Sequence, residues 1–417
     1  MYNVIVAGGG ASGLTAAIFA AKNGHQVTIL EHKDRVGKKI LMTGNGRCNL
    51  TNMSDVHGKY YSSDKQSLQK IYDTLVSFGP NDTRAFFERI GLYTKEKKDG
   101  GVYPVSEQAS VVLDVLRGEC ERLGVRTITG CKVQTVQPLK QGGTVGVVYS
   151  GEDAACRQKE FSYDRLILAT GGKAAPASGS DGSGYRLAKM LGHSVIKPLP
   201  ALVQLRCAGS FFKSVSGVRA QAGITLYIDG TKAAFDEGEL QLTDYGISGI
   251  PVFQFSRVAA RALDGGKLCE AGINFLAYVE DRASFIKENV SLKRWGYKTV
   301  EALLSGMVHK KLAAMICKKN KIGAGTLVSE AGEKAVRECI AQLFDFRVKI
   351  METNPFENAQ VCSGGVPLWE VDETFRSKLS KDVYLVGELL DCDGICGGYN
   401  LQWAWATGAI AGVGVSV

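Results

Sequence analysis

Val4-Ile5-Val6-Ala7, then Gly8-Gly9-Gly10-Ala11-Ser12-Gly13, then a run that ends at Gln26-Val27-Thr28-Ile29-Leu30-Glu31, is the stretch that decides how this chain is read. Four apolar residues in a row have the length and character of a buried strand. A helical pattern follows from Leu14 to Asn23 and stops at Gly24. Gln26–Leu30 reads as a second strand. The order is β-turn-α-β in about thirty residues. Gly8-x-Gly10-x-x-Gly13 in that context is a dinucleotide fingerprint. Gly8 permits the tight turn, Gly10 lets backbone N–H groups approach a pyrophosphate, and Gly13 lets the helix pack closely. The helix N-terminus then faces phosphate charge. Glu31 stands 18 residues beyond Gly13, placed to accept hydrogen bonds from a ribose diol, and its charge disfavours a 2′-phosphate there. A bare glycine turn in an ordinary βαβ unit would not need strand, helix and acid in register.

FAD and NAD both use this fingerprint, and the next segment separates them. Gly37 to Asn52 is a loop dense in Gly, Asn and Thr, of the kind two-domain flavoproteins carry where an extended FAD runs past. Cys48 has no partner five positions on, since residue 53 is Met, so a dithiol mechanism is disfavoured. Phe161–Leu168 reads as a strand running into Ala169-Thr170-Gly171. Val383–Val386 reads as another, ending in Gly387-Glu388 with Asp391 within reach. FAD enzymes hold the ribityl chain and inner phosphate with such a Gly-Glu turn. Gly394, Gly397 and Gly398 then lead into a last helix at Tyr399-Asn400-Leu401-Gln402, whose positive end suits the pyrimidine edge of a flavin. No second GxGxxG occurs, which points to one nucleotide domain with a cap.

The 417 residues suggest two or three domains, and 45% hydrophobic with 22% charged residues excludes disordered, collagen-like and disulfide-scaffold chains. The net charge of +8 is mild. The basic cluster His309-Lys310-Lys311 with Lys318, Lys319 and Lys321 reads as a solvated helix face, and no nucleic-acid partner is expected. Eleven Cys without a signal-like N-terminus read as free thiols in a reducing compartment, hence a cytoplasmic protein. No CxxC occurs, so no metal is expected. The uncharged run from Trp403 is too short and glycine-rich for a membrane span. His57, His193 and His309 have no motif around them and read as surface residues.

Gly8 to Asn52, with GGGASGLTAA and GKKILMTGNGRCNLTN, resembles the N-terminus of the HI0933-like, or aminoacetone oxidase-type, family of FAD-binding flavoproteins. Gly238–Gly249 (GELQLTDYGISG) resembles the family's GELLFTHxGLSGP, Ala359–Val366 its AQVTxGGV, and Gly387 to Ala404 its closing signature. Asp244 stands where the family's block has His, and Ile250 where it has Pro, so no role of that His carries over. The resemblance implies an α/β architecture. A discontinuous Rossmann-like FAD domain comprises about 1–195 and 357–417. An inserted β-barrel-like cap comprises about 196–279 and 346–356, and a small helical subdomain 280–345. Alternating runs within 197–275 agree with antiparallel strands, and Val300-Leu303-Leu304-Met307 with helix. The substrate is expected where cap meets flavin.

The implied FAD set begins with Gly8, Gly10, Ala11, Ser12 and Gly13. It continues through Glu31, His32 and Lys33, and along the polar loop through Lys39, Thr43, Gly44, Asn45, Arg47, Cys48 and Asn49. Val133, Ala169, Thr170 and Gly171 follow, and Gly387, Glu388, Asp391, Gly398, Tyr399, Asn400 and Leu401 complete it. Arg47 beside Cys48 raises the question of a reactive thiolate. Three classes stay open. One is an NAD(P)H-dependent reductase of activated C=C bonds, as in 3-oxo-Δ4/Δ6 bile acids. Another is an O2-dependent oxidase of aminoacetone or a similar amine. The third is an RNA-modifying or regulatory flavoprotein. The TDYGISGIP variant and the cysteine count incline the reading to the reductase and to an apolar substrate bearing a carbonyl. Tyr245 and Asp244 are the candidate proton donors, and Phe211, Phe212, Tyr245 and Phe253 candidate walls of an apolar cavity, each also readable as plain packing.

Overall fold

A computed structural model describes residues 1–150 and 159–416. The chain divides into two compact units, Met1–Leu199 with Ala359–Val417, and Pro200–Asn358.

The first unit is built on a five-stranded parallel sheet in the order Val383–Leu385, Arg165–Leu168, β1 (Asn3–Ala7), β2 (Gln26–Leu30) and Arg126–Ile128. Central parallel strands are covered on both faces, so β1 is an unbroken apolar run, with Val4 to Ala7 all buried. Between β1 and β2 runs α1 (Ala11–Lys22). The closing helix Tyr399–Gly414 packs on it through glycines. A Cβ at Gly408 would lie 2.4 Å from Ser12 O, and one at Gly412 2.5 Å from Ala16 O. That burial explains the uncharged C-terminal run, and Trp403 and Trp405 are 2% and 0% exposed. Among the described residues no helix is long and apolar enough to cross a membrane.

Two local expectations change. The polar loop 37–52 is not all loop. Lys38–Met42 is a helical turn, and Thr51–Asn52 pairs with Gly101–Val102. The single strand expected over 161–168 is two. Glu160–Tyr163 pairs antiparallel with Gly143–Gly146, and Asp164, whose N–H donates to Asn3 O, marks the switch into the parallel sheet.

His193 is not at the surface. Its side chain is fully buried, Nδ1 lies 2.8 Å from Glu370 and Nε2 2.7 Å from Ser377 Oγ. Two hydrogen bonds let a polar ring sit in the core, which nothing in its local sequence announces.

Glu119 ties α1 to the helix Ala109–Arg122. It accepts from Arg122 at 2.7 and 3.0 Å and faces Lys22 at 2.9 Å. The Arg122 hydrogen bonds, with Lys22, outweigh burial and bring its pKa down to about 2. The folded pKa lies below the unfolded one, so this stabilisation is present above the ordinary glutamate range and is lost as pH falls toward 2. Glu119→Gln is expected to cost on the order of 2 kcal/mol at pH 7 and little at pH 2.5, read by urea unfolding at both.

The second unit is a closed barrel of six antiparallel strands. Their order is Leu205–Cys207, Gly246–Ser248, Thr231–Leu242, Arg219–Ile228, Cys269–Asn274 and Phe346–Thr353. The strands expected within 197–275 are interrupted by a helix, Ile250–Asp264, that starts with Pro251 in its first turn and buries Val252, Phe255, Ala259 and Ala262. The helices between Arg282 and Phe344 share one core with the barrel. Leu304, Ile316 and Ile340 belong to the same buried cluster as Ile224 and Leu240, so among the described residues these helices have no core separate from the barrel. Phe212 is 1% exposed in that cluster and Phe211 stacks on it at 4.5 Å. Phe212 is core, not cavity wall.

Candidate functional site

The glycine loop shows why each position lacks a side chain. Gly8 has φ +104°, and a Cβ there would sit 2.5 Å from Ala169 O. A Cβ at Gly13 would strike Gly8 O at 1.9 Å, so the close approach is of helix to loop. Gly10 differs. It is extended (φ −83°, ψ −165°) and has nothing within 4 Å of a built Cβ. Its missing side chain leaves open space over the first turn of α1, which has no side-chain cap. Uncapped helix N–H groups facing open space are what a pyrophosphate needs.

Glu31 is 7% exposed and already engaged with the loop. Oε2 accepts from Gly9 N at 2.8 Å and Oε1 from Lys33 N at 2.8 Å. Each oxygen keeps a lone pair for a ribose hydroxyl. Gly9, absent from the sequence-derived set, is equally constrained. A Cβ there would meet Val36 Cγ1 at 2.4 Å, and the triple glycine was the available signal. His32 sits beside Glu31, its pKa lowered by burial against the opposing pull of Glu31 and Asp181. Val133 occupies a register shift between the strands Cys131–Pro138 and Gly143–Tyr149. The first of these starts beside Glu31, where Cys131 N donates to Glu31 O at 2.8 Å. Ala169 N donates to Ala7 O, which brings Ala169-Thr170-Gly171 next to the glycine loop.

Lys39 reaches across the unit to Glu388, Nζ to Oε2 at 2.6 Å, and Glu388 Oε1 accepts from Cys362 N at 2.9 Å. Gly387 packs on α1, since a Cβ there would be 2.5 Å from Ser12 Oγ. The Gly-Glu turn therefore lies against the first turn of α1. Thr43 Oγ1 donates to Ile40 O, Gly44 and Asn45 are left-handed, and Arg47 is exposed with its guanidinium 5.8 Å from the Tyr103 ring.

Three expectations shift here. Cys48 is fully buried, and burial pushes its thiol up to about 12, so no thiolate forms. Asp391 has no exposed surface. It accepts from Ser62 Oγ at 2.9 Å and Ser63 N at 2.8 Å and braces that loop instead of facing a ligand. The Asn400 amide folds back on Gly394, donating to its O and accepting from its N at 2.8 Å, and so shapes the turn before the closing helix.

That helix starts at left-handed Gly398, again with no side-chain cap. Tyr399 and Leu401 stand in its first turn, Tyr399 4% exposed. Asn49 Oδ1, 2.9 Å from a Cβ built at Gly398, and Thr51 Oγ1 are buried oxygens without a hydrogen-bond partner. A second helix N-terminus with two orphaned acceptors beside it fits a flavin's polar edge, as the open cradle fits its pyrophosphate. The residues present therefore suit FAD.

In the second unit, Tyr245 and Asp244 lie in the turn closed by Thr243 N donating to Gly246 O. Asp244 is exposed. The Tyr245 hydroxyl accepts from Asn354 Nδ2 at 2.9 Å, and the Arg206 guanidinium lies 4.9 Å from its ring centre.

A family model described as the HI0933-like protein Rossmann domain matches residues 2–414. The chain belongs to the HI0933-like family. It is 42% identical over 417 residues to the 3-dehydro-bile acid delta(4,6)-reductase of Clostridium scindens, covering 99% of this chain and 98% of that protein. It is 26% identical over 415 residues to a ribosomal RNA dihydrouridine synthase of Haemophilus influenzae, covering 99% and 98%. A solved 3-ketosteroid delta1-dehydrogenase from Sterolibacterium denitrificans, in complex with 1,4-androstadiene-3,17-dione, shares the fold. Its TM-score is 0.50 at 12% identity, over 100% of this chain and 99% of that one. This HI0933-like protein is an FAD-dependent oxidoreductase.

Proposed function

We propose that this flavoprotein is an NAD(P)H-dependent reductase of a C=C bond conjugated to a carbonyl, with a bile-acid- or steroid-type 3-oxo-Δ4 or Δ4,6 compound as substrate. The observation that carries the reading is the end-to-end identity to the Clostridium scindens reductase. The name of the Haemophilus influenzae relative supports the same bond change, because making dihydrouridine adds hydrogen across a C=C conjugated to a carbonyl. An amine oxidation has no such support. FAD supplies the hydride chemistry when bound. The balance is one hydride to the β-carbon and one proton to the α-carbon, with NAD(P)H leaving as NAD(P)+.

The chain must hold the cofactor and supply the proton. Gly8 to Gly13, Glu31, Lys39 and the first turn of the closing helix are the proposed holding set. Tyr245 is the proposed proton donor. Its oxygen already accepts from Asn354, which leaves its own O–H proton free to be given. Asp244, exposed in the same turn, takes second place. Tyr245→Phe is expected to lower kcat about 100-fold while the purified protein stays yellow. Unchanged turnover would return Tyr245 to a packing role.

The deciding experiment is anaerobic titration of the yellow protein with NADH and NADPH, followed at the visible flavin band. Bleaching, and its reversal by a 3-oxo-Δ4 steroid, is the expected result. No bleaching would bring an amine substrate to the front.

One observation favours a second reading, with uridine in RNA as the reducible group. Residues 282–344 hold twelve Lys or Arg against five Asp or Glu, so the chain's positive charge is concentrated there. Tyr297 is 73% exposed in that stretch. Basic surface with exposed aromatics suits single-stranded RNA. Reoxidation of the reduced protein by a uridine-containing ribosomal RNA fragment, and not by the steroid, would establish it.

A further inference from the structure

The sequence-derived cofactor set contains Glu388 but not Tyr185, and the structure brings the two to the same glycine. A Cβ built at Gly172 would lie 3.0 Å from Glu388 Oε1, 3.0 Å from the Tyr185 hydroxyl and 3.2 Å from Cys362 Sγ. Any side chain at 172 would fill the space that these atoms flank.

Tyr185 is 7% exposed, and its hydroxyl has no oxygen or nitrogen partner, only the Cys362 thiol beside it. A buried phenol left so costs free energy, and such a group calls for a partner that arrives with a ligand or water. Cys362 is a poor substitute. A thiol is a weak partner, and its sulfur already accepts from Lys173 N at 3.1 Å. Glu388 is the opposite case, a carboxylate fixed at both oxygens, by Lys39 Nζ at 2.6 Å and Cys362 N at 2.9 Å, with acceptor capacity left over. The seat adjoins the phosphate cradle, because Gly387 packs against Ser12 in the first turn of α1.

We infer that Tyr185 is a cofactor-binding residue, its phenol paired with the Glu388 carboxylate as a seat for one alcohol hydroxyl of the bound FAD. The chemistry selects the group. Burial pushes the Tyr185 pKa well above its ordinary range, so the phenol keeps its proton and donates. Glu388 accepts. The occupant must accept from one and donate to the other, which a hydroxyl does and a phosphate oxygen or ring carbonyl does not. In FAD the hydroxyls are those of the adenosine ribose, which the Glu31 end of the cradle claims, and those of the ribityl chain. The ribityl chain is therefore the part that Tyr185 holds. Water has the same donor and acceptor pattern, and the experiment separates the two. The inference rests on FAD as cofactor and is independent of the substrate.

The test is Tyr185→Phe, which removes one oxygen and keeps the ring. FAD-stripped wild-type and variant proteins are titrated with FAD, and with ADP, which carries the adenosine and phosphates but no ribityl chain. The expected result is about tenfold weaker FAD binding with ADP affinity unchanged. The FAD-stripped variant should melt close to wild type, because the lost hydroxyl met only a weakly bonding thiol. The FAD-loaded variant should release flavin fluorescence at a lower temperature than loaded wild type. Unchanged FAD affinity would mean that water occupies the seat and would overturn the assignment. Equal weakening of FAD and ADP would overturn it too, since the effect would then be a general loss of the cradle.

Discussion

Gly10→Val is expected to yield a folded, colourless protein whose FAD affinity is lower by roughly 100-fold or more. The structure separates the two parts of this outcome. Gly10 is extended, a conformation valine adopts freely, and a built Cβ meets nothing within 4 Å. The folded chain therefore does not resist the substitution. The branched side chain instead occupies the open space over the uncapped first turn of α1, where phosphate oxygens must come within hydrogen-bond distance of backbone N–H groups. Gly13→Ala is the contrasting control. Its Cβ would meet Gly8 O at 1.9 Å, so the damage falls on the fold itself. The measurements are the flavin absorbance of the purified protein and its melting temperature. A yellow Gly10→Val protein with wild-type affinity would show that the pyrophosphate lies elsewhere.

Glu31→Ala is expected to be the next most damaging change, and to act on both stability and FAD binding. The sequence points to Glu31 only as a ribose acceptor. In the structure its carboxylate also satisfies the N–H groups of Gly9 and Lys33, from a position 7% exposed. Alanine leaves two N–H groups without their acceptor, at about 1–3 kcal/mol for each that stays dry, and removes the ribose contact as well. A clear fall in melting temperature without cofactor, together with FAD binding weaker by about 10- to 100-fold, is the expected pair. Glu31→Gln should fall between alanine and wild type. It keeps the volume and one acceptor but turns a donor toward either Gly9 or Lys33. Normal stability with weakened FAD would mean that water replaces both loop contacts. Weakened stability with normal FAD affinity would assign Glu31 to the loop alone.

These cases mark what was legible in advance. The order β1, α1, β2 followed from residues 3–31, and the structure keeps it to within a few residues at each end. The turn that Gly8 needs and the uncapped start of α1 are local matters, settled by neighbours in the chain. Gly387-Glu388 and Gly398-Tyr399 were legible for the same reason, as short turns that present backbone groups. The helix Ile250–Asp264 was missed although Pro251 in its first turn is a start signal, because the alternating runs on either side suggested strand throughout.

The rest depends on residues that meet only after folding. Asp391 looked like a ligand contact beside a Gly-Glu turn, but Ser62 and Ser63, over three hundred residues away, take both its oxygens. His193 looked like a surface residue until Glu370 and Ser377 enclosed it. The barrel closes because Leu205–Cys207 pairs with both Gly246–Ser248 and the strand ending at Thr353. Tyr185, Cys362 and Glu388 converge on Gly172 from three separate parts of the chain. The sequence by itself determined the nucleotide fold, its glycine turns and the cofactor class, because backbone turns and helix starts are set by a few consecutive residues. The tertiary structure alone decided which buried polar groups are already satisfied and which still wait for a partner. That depends on what distant segments bring within 3 Å, and no local pattern records it.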